Sequence, residues 1–287
     1  MLPLSQGQLT LLDTCLRKFK HVFFDALASP SSYEQKAKTQ WGSQFHLLMQ
    51  QRSLDLPIEV MAEADAEMMR RLSALAEAAP EVFEYLPISA ETAAAKNVLV
   101  QSEQRRTLAF EGYLLTAIYD LVVEAPNQGQ IFDWKTHQQP PRKDWLQRDW
   151  QTRLYLYVLA ETTALTPEQL SMTYCFVRAE ESHHDQDTPP SFYRLDYSTA
   201  QHRQTHQDLQ AITGQLTKAI ALLEARQAEA AFPKVAEAKG LCDRCPFAIR
   251  CDRAQAAFPT TDPTADPYQL LRQAQKITAA TVEEIPL

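Results

Sequence analysis

Two aspartates and a lysine stand where two strands are expected to meet. One predicted strand ends in Thr116-Ala117-Ile118-Tyr119-Asp120, and the next reads Ile131-Phe132-Asp133-Trp134-Lys135-Thr136. Side chains alternate along a strand, so Asp133 and Lys135 share one face while Trp134 points to the other. Pairing of the two strands as a hairpin sets Asp120 beside Asp133, and two carboxylates and an ammonium then converge on one point of a sheet. Two oxygen ligands suit Mg²⁺ or Mn²⁺, which keep several waters and complete their shell from a phosphate. An ion so placed polarises a phosphodiester, stabilises developing charge and helps to activate water, with Lys135 orienting that water or steadying the pentavalent intermediate. An Asp near a strand end and a D-x-K pair also form ordinary ion pairs, so spacing alone leaves both readings open.

Other residues with chemistry are scattered. His46 falls on a predicted helix, in Trp41-Gly42-Ser43-Gln44-Phe45-His46, where a histidine serves as a ligand or as a plain structural group. Gln151 and Tyr155 lie four apart on a later helix and share a face, although Tyr155 also reads as a core aromatic. Cys242, Cys245 and Cys251 supply three thiols within ten residues, whereas Cys175 falls in a strand and reads as a small core residue. Thiolates select zinc or an iron–sulfur cluster. Neither a second Cys pair nor a His pair lies nearby, so a fourth ligand must come from afar, and Cys15 is the candidate.

The elements that position these residues follow from periodicity. Ser5 with Gln8 resembles a capping box, and Leu9, Leu12, Leu16, Phe19 and Phe23 recur at helical spacing, which predicts one helix over 5–25. Further helices are predicted over 41–51 and 59–77, the latter ended by Pro80. From 98 to 136, three strands are expected, parted by Glu111-Gly112 and by Pro126-Asn127-Gln128-Gly129. A helix over 144–161, strands over 171–178 and 191–197 and a helix over 200–228 complete an α/β or α+β core. Beyond Phe258 the chain turns Pro/Thr/Asp-rich, which reads as a tail with one short helix at 268–275.

Composition sets limits. The 287 residues are 45% hydrophobic and 22% charged, enough for a real core. No apolar run nears the roughly 20 residues that span a bilayer, and no secretory signal is visible, so a cytoplasmic protein without a membrane partner is expected. A net charge of −8 argues against a broad basic surface for nucleic acid, but a carboxylate metal site is itself acidic. Basic residues gather at Arg17, Lys18 and Lys20 and again at Arg142, Lys143, Arg148 and Arg153. Trp145 and Trp150 stand within the second group, where they can stack on bases or simply belong to a solvated helix face. The chain lacks a Gly-x4-Gly-Lys-Ser/Thr motor motif.

In order along the chain, Gly42-x3-His46, Asp120, Asp133-Trp134-Lys135-Thr136 and Gln151-x3-Tyr155 resemble the motif series of RecB-like PD-(D/E)XK nucleases, over most of residues 5–255. The resemblance implies an α/β, restriction-endonuclease-like core, a central mixed sheet flanked by helices. It further implies one domain over 1–257, with a helical region 1–96, a nuclease core 97–230, a cysteine cluster 237–255 and a flexible tail 258–287. By the same resemblance His46, Asp120, Asp133 and the Trp134 backbone carbonyl hold Mg²⁺ or Mn²⁺, Lys135 is catalytic, and Gln151 and Tyr155 support the site and touch the nucleic-acid strand. One departure is Ala117, where the family often has Gly three residues before the first Asp. A distant Cys15 with Cys242-x2-Cys245-x5-Cys251 is similar to the iron–sulfur staple of AddB-type helicase–nucleases and CRISPR-associated RecB-like exonucleases, in which four thiolates hold a [4Fe–4S] cluster.

The implied activity is metal-dependent cutting of DNA, as an exonuclease on single strands. A helicase or an integration complex would be the partner, in repair, recombination or CRISPR adaptation. Two alternatives stand beside it: a catalytically silent nuclease-fold module that docks on a larger complex, and a zinc-stapled structural protein.

Overall fold

The computed structural model describes residues 1–27, 33–58, 65–86, 90–136, 142–177, 190–243 and 245–253. The chain forms two compact units, Met1–Val235 and Ala236–Leu287. The expected tail over 258–287, its short helix, and most of the polar loop before residue 190 lie outside the described residues.

The first unit opens with a strand that the sequence did not suggest, β1 (Leu2–Leu4). The single helix predicted over 5–25 is two helices, α1 (Gln6–Thr14) and α2 (Leu16–Phe23). The chain breaks between them at Cys15, whose extended backbone (φ −163°, ψ 110°) cannot continue a helix. The predicted start is present: Gln8 Oε1 accepts from the Ser5 N–H at 2.8 Å. Helix α3 (Tyr33–Ser53) extends well beyond the predicted 41–51. Asp65 caps α4 (Ala66–Ala78) by accepting from the Met68 N–H at 2.9 Å, and residues 59–64 of the predicted helix lie outside the described ones. Pro80 begins α5 (Pro80–Phe83) at the position where its missing N–H leaves no gap. Helix α6 (Ala90–Lys96) then leads into the sheet.

Strands β2 (Leu99–Phe110), β3 (Tyr113–Ala125) and β4 (Gln128–Lys135) follow as predicted. Glu111 and Gly112 both take positive φ, 47° and 83°, the conformation that a two-residue hairpin turn requires. The helix predicted over 144–161 is again two, α7 (Lys143–Arg148) and α8 (Trp150–Glu161). Asp149 sits extended between them and caps α8, its carboxylate accepting from the Gln151 N–H at 2.7 Å. Strands β5 (Leu170–Phe176) and β6 (Ser191–Asp196) and helices α9 (Thr199–Glu224) and α10 (Ala228–Ala231) complete the unit.

Six described strands make one mixed sheet. Strand β1 runs parallel to β3 and β4 parallel to β5, while β2–β3, β3–β4 and β5–β6 are antiparallel. Helices cover both faces. On one, Leu9, Leu12, Leu154, Val158, Leu209 and Leu216 pack on Leu115, Tyr119, Ile131 and Tyr174. On the other, Phe45, Leu48, Met68 and Leu72 pack on Leu121, Phe132, Trp134 and Cys175. Cys175 is fully buried, as its strand position suggested. No described helix is long and apolar enough to cross a membrane.

One edge of β3 decides where the site lies. Strand β2 follows β3 from residue 113 to 124, so β1 and β4 must share the opposite edge. Strand β1 takes residues 113–115 and β4 takes residues 121–125. Between them, residues 116–120 have no described strand beside them on that edge, and β4 parts from β3 just beyond the Leu121–Phe132 pair.

Candidate active site

At that fork a cleft of about 810 Å³ opens, and every residue expected of the nuclease site lines it: His46, Asp120, Asp133, Trp134, Lys135, Gln151 and Tyr155. The split explains the convergence. A closed sheet would keep groups from its two faces apart. Here α3 brings His46 from one side and α8 brings Gln151 and Tyr155 from the other.

Helix α3 can reach the strand because of Gly42. A Cβ at that position would lie 2.7 Å from Thr136 Oγ1, inside any tolerable contact, so only glycine lets the helix seat against the end of β4. His46 lies one turn on and faces the same way. Its Nε2 is 3.2 Å from the Trp134 carbonyl, and its Nδ1 is 3.4 Å from Asp120 Oδ1 and 3.5 Å from Glu103 Oε1. The Trp134 carbonyl, expected as a metal ligand, thus serves here as an acceptor for the imidazole; with two lone pairs it can do both.

Asp120 holds the fork open. Its Oδ2 accepts from the Trp134 N–H at 2.7 Å, satisfying the backbone group left over where the ladder ends. Its Oδ1 stays turned toward His46. On β4, Asp133 is almost wholly buried and receives Gln151 Nε2 on Oδ2 at 2.5 Å, with Lys135 Nζ 2.6 Å from Oδ1. Lys135 in turn donates to Gln151 Oε1 at 2.8 Å. The amide of Gln151 therefore locks acid and amine into one geometry, donating to the first and accepting from the second. Tyr155 is buried beside them, and the ring of Tyr119 meets it edge-on at 5.4 Å.

The electrostatics are those of a crowded anion site. Burial alone would lower His46, but Asp120 and Glu103 outweigh it and push the imidazole up to about 10. Burial, then the Asp120 charge, raises Asp133 to about 7 against the pull of Lys135 and His46. Burial and the Asp133 and Asp120 carboxylates raise Tyr155, so its hydroxyl stays protonated.

Among the described residues, His46, Glu103 and Asp120 are the one group of three His, Cys, Asp or Glu side chains whose ligand atoms lie within 4.8 Å of one another. Adjacent ligands around an octahedral ion with bonds of about 2.1 Å stand roughly 3 Å apart, so one nitrogen and two carboxylate oxygens at these spacings fit a divalent cation. Glu103 is the residue that sequence reasoning missed. The signal was available: counting outward from the two-residue turn at Glu111-Gly112 brings Glu103 opposite Asp120.

The other expectations divide. Arg17 is buried rather than presented to a ligand, with Nε 2.5 Å from the Phe232 carbonyl and its guanidinium on Glu229. Trp150, read as able to stack on bases or to belong to a solvated helix face, is instead a core residue that donates to Asp13 at 3.1 Å and lies under Arg153. Trp145 is 59% exposed and remains available to a ligand. None of the five cysteines is in a disulfide. Cys15 sits at the break between α1 and α2 in the first unit. In the second unit, the Cys242 carbonyl accepts from the Cys245 N–H at 3.1 Å, and the Cys251 N–H donates to the Phe247 and Ala248 carbonyls.

The comparison that decides the family spans nearly the whole of this architecture: the PD-(D/E)XK nuclease superfamily model matches residues 3–252. The chain belongs to the PD-(D/E)XK nuclease superfamily. Nucleases of this superfamily use divalent metals, in keeping with the His46, Glu103 and Asp120 group. No curated protein matches the sequence significantly. Among solved structures, a candidate exonuclease from Eubacterium rectale aligns over 87% of this chain and 88% of its own, at 13% identity and a TM-score of 0.43. The alkaline exonuclease LHK-Exo from Laribacter hongkongensis aligns over 79% of this chain and 94% of its own, at 11% identity and a TM-score of 0.34.

Proposed function

We propose that the chain is a divalent-metal-dependent deoxyribonuclease that degrades single-stranded DNA from an end. The observation that carries this reading is the arrival of His46, Asp120, Asp133, Lys135, Gln151 and Tyr155 in one cleft at the fork of β3 and β4. A Mg²⁺ or Mn²⁺ ion bound by His46, Asp120 and Asp133 supplies a Lewis acid for the phosphodiester and lowers the pKa of water. Lys135, held by Gln151 and Asp133, orients the attacking water and offsets charge on the pentavalent phosphorus. Tyr155 keeps its proton and is a hydrogen-bond donor to a strand in the cleft. Single-strand preference rests on the resemblance to RecB-like enzymes and on the lack of a motor motif in the chain, which leaves unwinding to a helicase or other DNA-processing partner.

The same reading assigns Cys15, Cys242, Cys245 and Cys251 to a [4Fe–4S] cluster that joins the two ends of the nuclease. The turn that brings Cys242 and Cys245 within one backbone hydrogen bond supports it, since two ligands of one centre need such proximity. Zinc is the competing occupant.

The test is degradation of end-labelled single-stranded DNA by anaerobically purified protein, with Mn²⁺ or EDTA, comparing wild type with Lys135→Ala. Metal-dependent loss of DNA that disappears in the variant is the expected result. Protein with its cluster intact that cuts neither single-stranded, double-stranded nor flapped DNA would instead be a docking module.

A further inference from the structure

We propose that Glu103 is a metal ligand of this site and that it tilts the site toward Mn²⁺ over Mg²⁺; the inference rests on the nuclease reading above. Sequence motifs do not include Glu103, but three observations place it there. Its Oε1 stands 3.5 Å from His46 Nδ1, and His46, Glu103 and Asp120 form one ligand group, whereas both Asp133 oxygens face Gln151 and Lys135. The two acids are also cross-strand neighbours. Pairing of β2 with β3 is continuous except at Glu103 and Asp120, which the register sets opposite each other. Like charges in that position destabilise a sheet; the His46 imidazole offsets them in the metal-free protein, and a divalent ion held by all three groups would offset them more fully.

The backbone agrees. Glu103 takes φ 49° within a twelve-residue strand, a left-handed conformation that costs a non-glycine residue on the order of 1 kcal/mol. The pleat slips at the same level. Tyr119 faces the α8 side, while Leu121 and Val123, which strict alternation would place with it, face the α3 side. This slip gives Asp120 and Glu103 their common direction toward His46.

Metal choice follows from the ligand count. Mg²⁺ gives up water reluctantly and is usually held by one or two carboxylates, whereas Glu103 added to His46, Asp120 and Asp133 makes an imidazole nitrogen and three carboxylates, which suits an ion that exchanges water more readily. Removal of Glu103 should weaken Mn²⁺ more than Mg²⁺.

The experiment is titration of metal-stripped full-length protein with Mn²⁺ and with Mg²⁺ by calorimetry, for wild type, Glu103→Gln, Glu103→Gly and Asp120→Asn, with thermal unfolding of each metal-free protein. Glu103→Gly relieves the left-handed strain, so it should fold at least as well as wild type while binding Mn²⁺ more weakly by about ten-fold or more. Glu103→Gln should lose a similar factor, and in both the Mn²⁺ to Mg²⁺ affinity ratio should fall. Wild-type-like Mn²⁺ binding by both Glu103 variants, alongside loss in Asp120→Asn, would overturn the role of Glu103 alone. Absence of Mn²⁺ binding by wild type, or its persistence in Asp120→Asn, would overturn the metal site and this proposal together.

Discussion

Gly42 of α3 meets Thr136 just past the end of β4, and a Cβ there would come within 2.7 Å of Thr136 Oγ1. Helix seating and ligand placement are therefore one event, since His46 follows Gly42 by a single turn. Gly42→Ala should push the helix outward and lower activity by about ten-fold or more, because catalysis is sensitive to shifts of an ångström. Thr136→Ala leaves only a Cβ, 3.8 Å from where the alanine methyl at position 42 would sit, so Gly42→Ala/Thr136→Ala should recover activity. Rates of DNA degradation by the two single variants and the double variant would check this; a double variant no better than Gly42→Ala would refute the seating argument.

Lys135 and Gln151 should differ in degree. Lys135→Ala removes the amine from the cleft and should reduce kcat by about a thousand-fold. Gln151→Ala leaves the amine present but held by Asp133 alone, and a drop of roughly ten- to a hundred-fold is expected, as for groups that orient ligands. Single-turnover rates separate the two, with melting temperatures confirming that each variant folds.

The pH response of the metal-free protein follows from two raised groups. His46 is held near 10 and Asp133 near 7, so each binds a proton more tightly folded than unfolded. Their contributions are complete below the ordinary values of 6.5 and 3.8 and fade as pH rises through about 10 and about 7. A cation displaces these protons, so Mn²⁺ should bind more tightly as pH rises. The shift in melting temperature produced by Mn²⁺ should grow between roughly pH 6 and pH 8.5, where Asp133 loses its proton and His46 still carries one for the ion to displace. A shift independent of pH would contradict the assignment.

Arg17 should matter to stability rather than to DNA binding. Arg17→Ala strands the buried Phe232 carbonyl and should cost about 2 kcal/mol in denaturant unfolding. Glu229, at 84% side-chain exposure, contributes little, and Glu229→Ala should unfold close to wild type.

Iron analysis tests the cysteines. Wild type should carry iron and labile sulfide, and Cys245→Ala should lose both together with heat resistance, whereas Cys175→Ala should keep the metal. Zinc without sulfide would favour the structural alternative.

Much of this was legible in the residues. Alternation around Asp133-Trp134-Lys135 placed the acid and amine on one face and the indole on the other, because a strand permits nothing else. Turn residues marked β2 to β4. The helix breaks at Cys15 and Asp149 were not visible, since apolar spacing continues through both and the interruption is set by packing. Strand β1 is three residues long, too short for any period. Glu103 escaped because motif order concerns sequence, while its role arises from cross-strand register and a slip in the pleat.

The shared edge of β3 acts as a spacer of fixed length. Residues 116–120 separate the segment claimed by β1 from the segment claimed by β4, and neither neighbour can slide without meeting the other. Insertion or deletion of one residue in that interval would leave both ladders able to form yet rotate Asp120 out of line. Asp120 and the buried Tyr119 aside, the interval should therefore tolerate changes of side chain, as Ala117 in place of glycine suggests, better than changes of length.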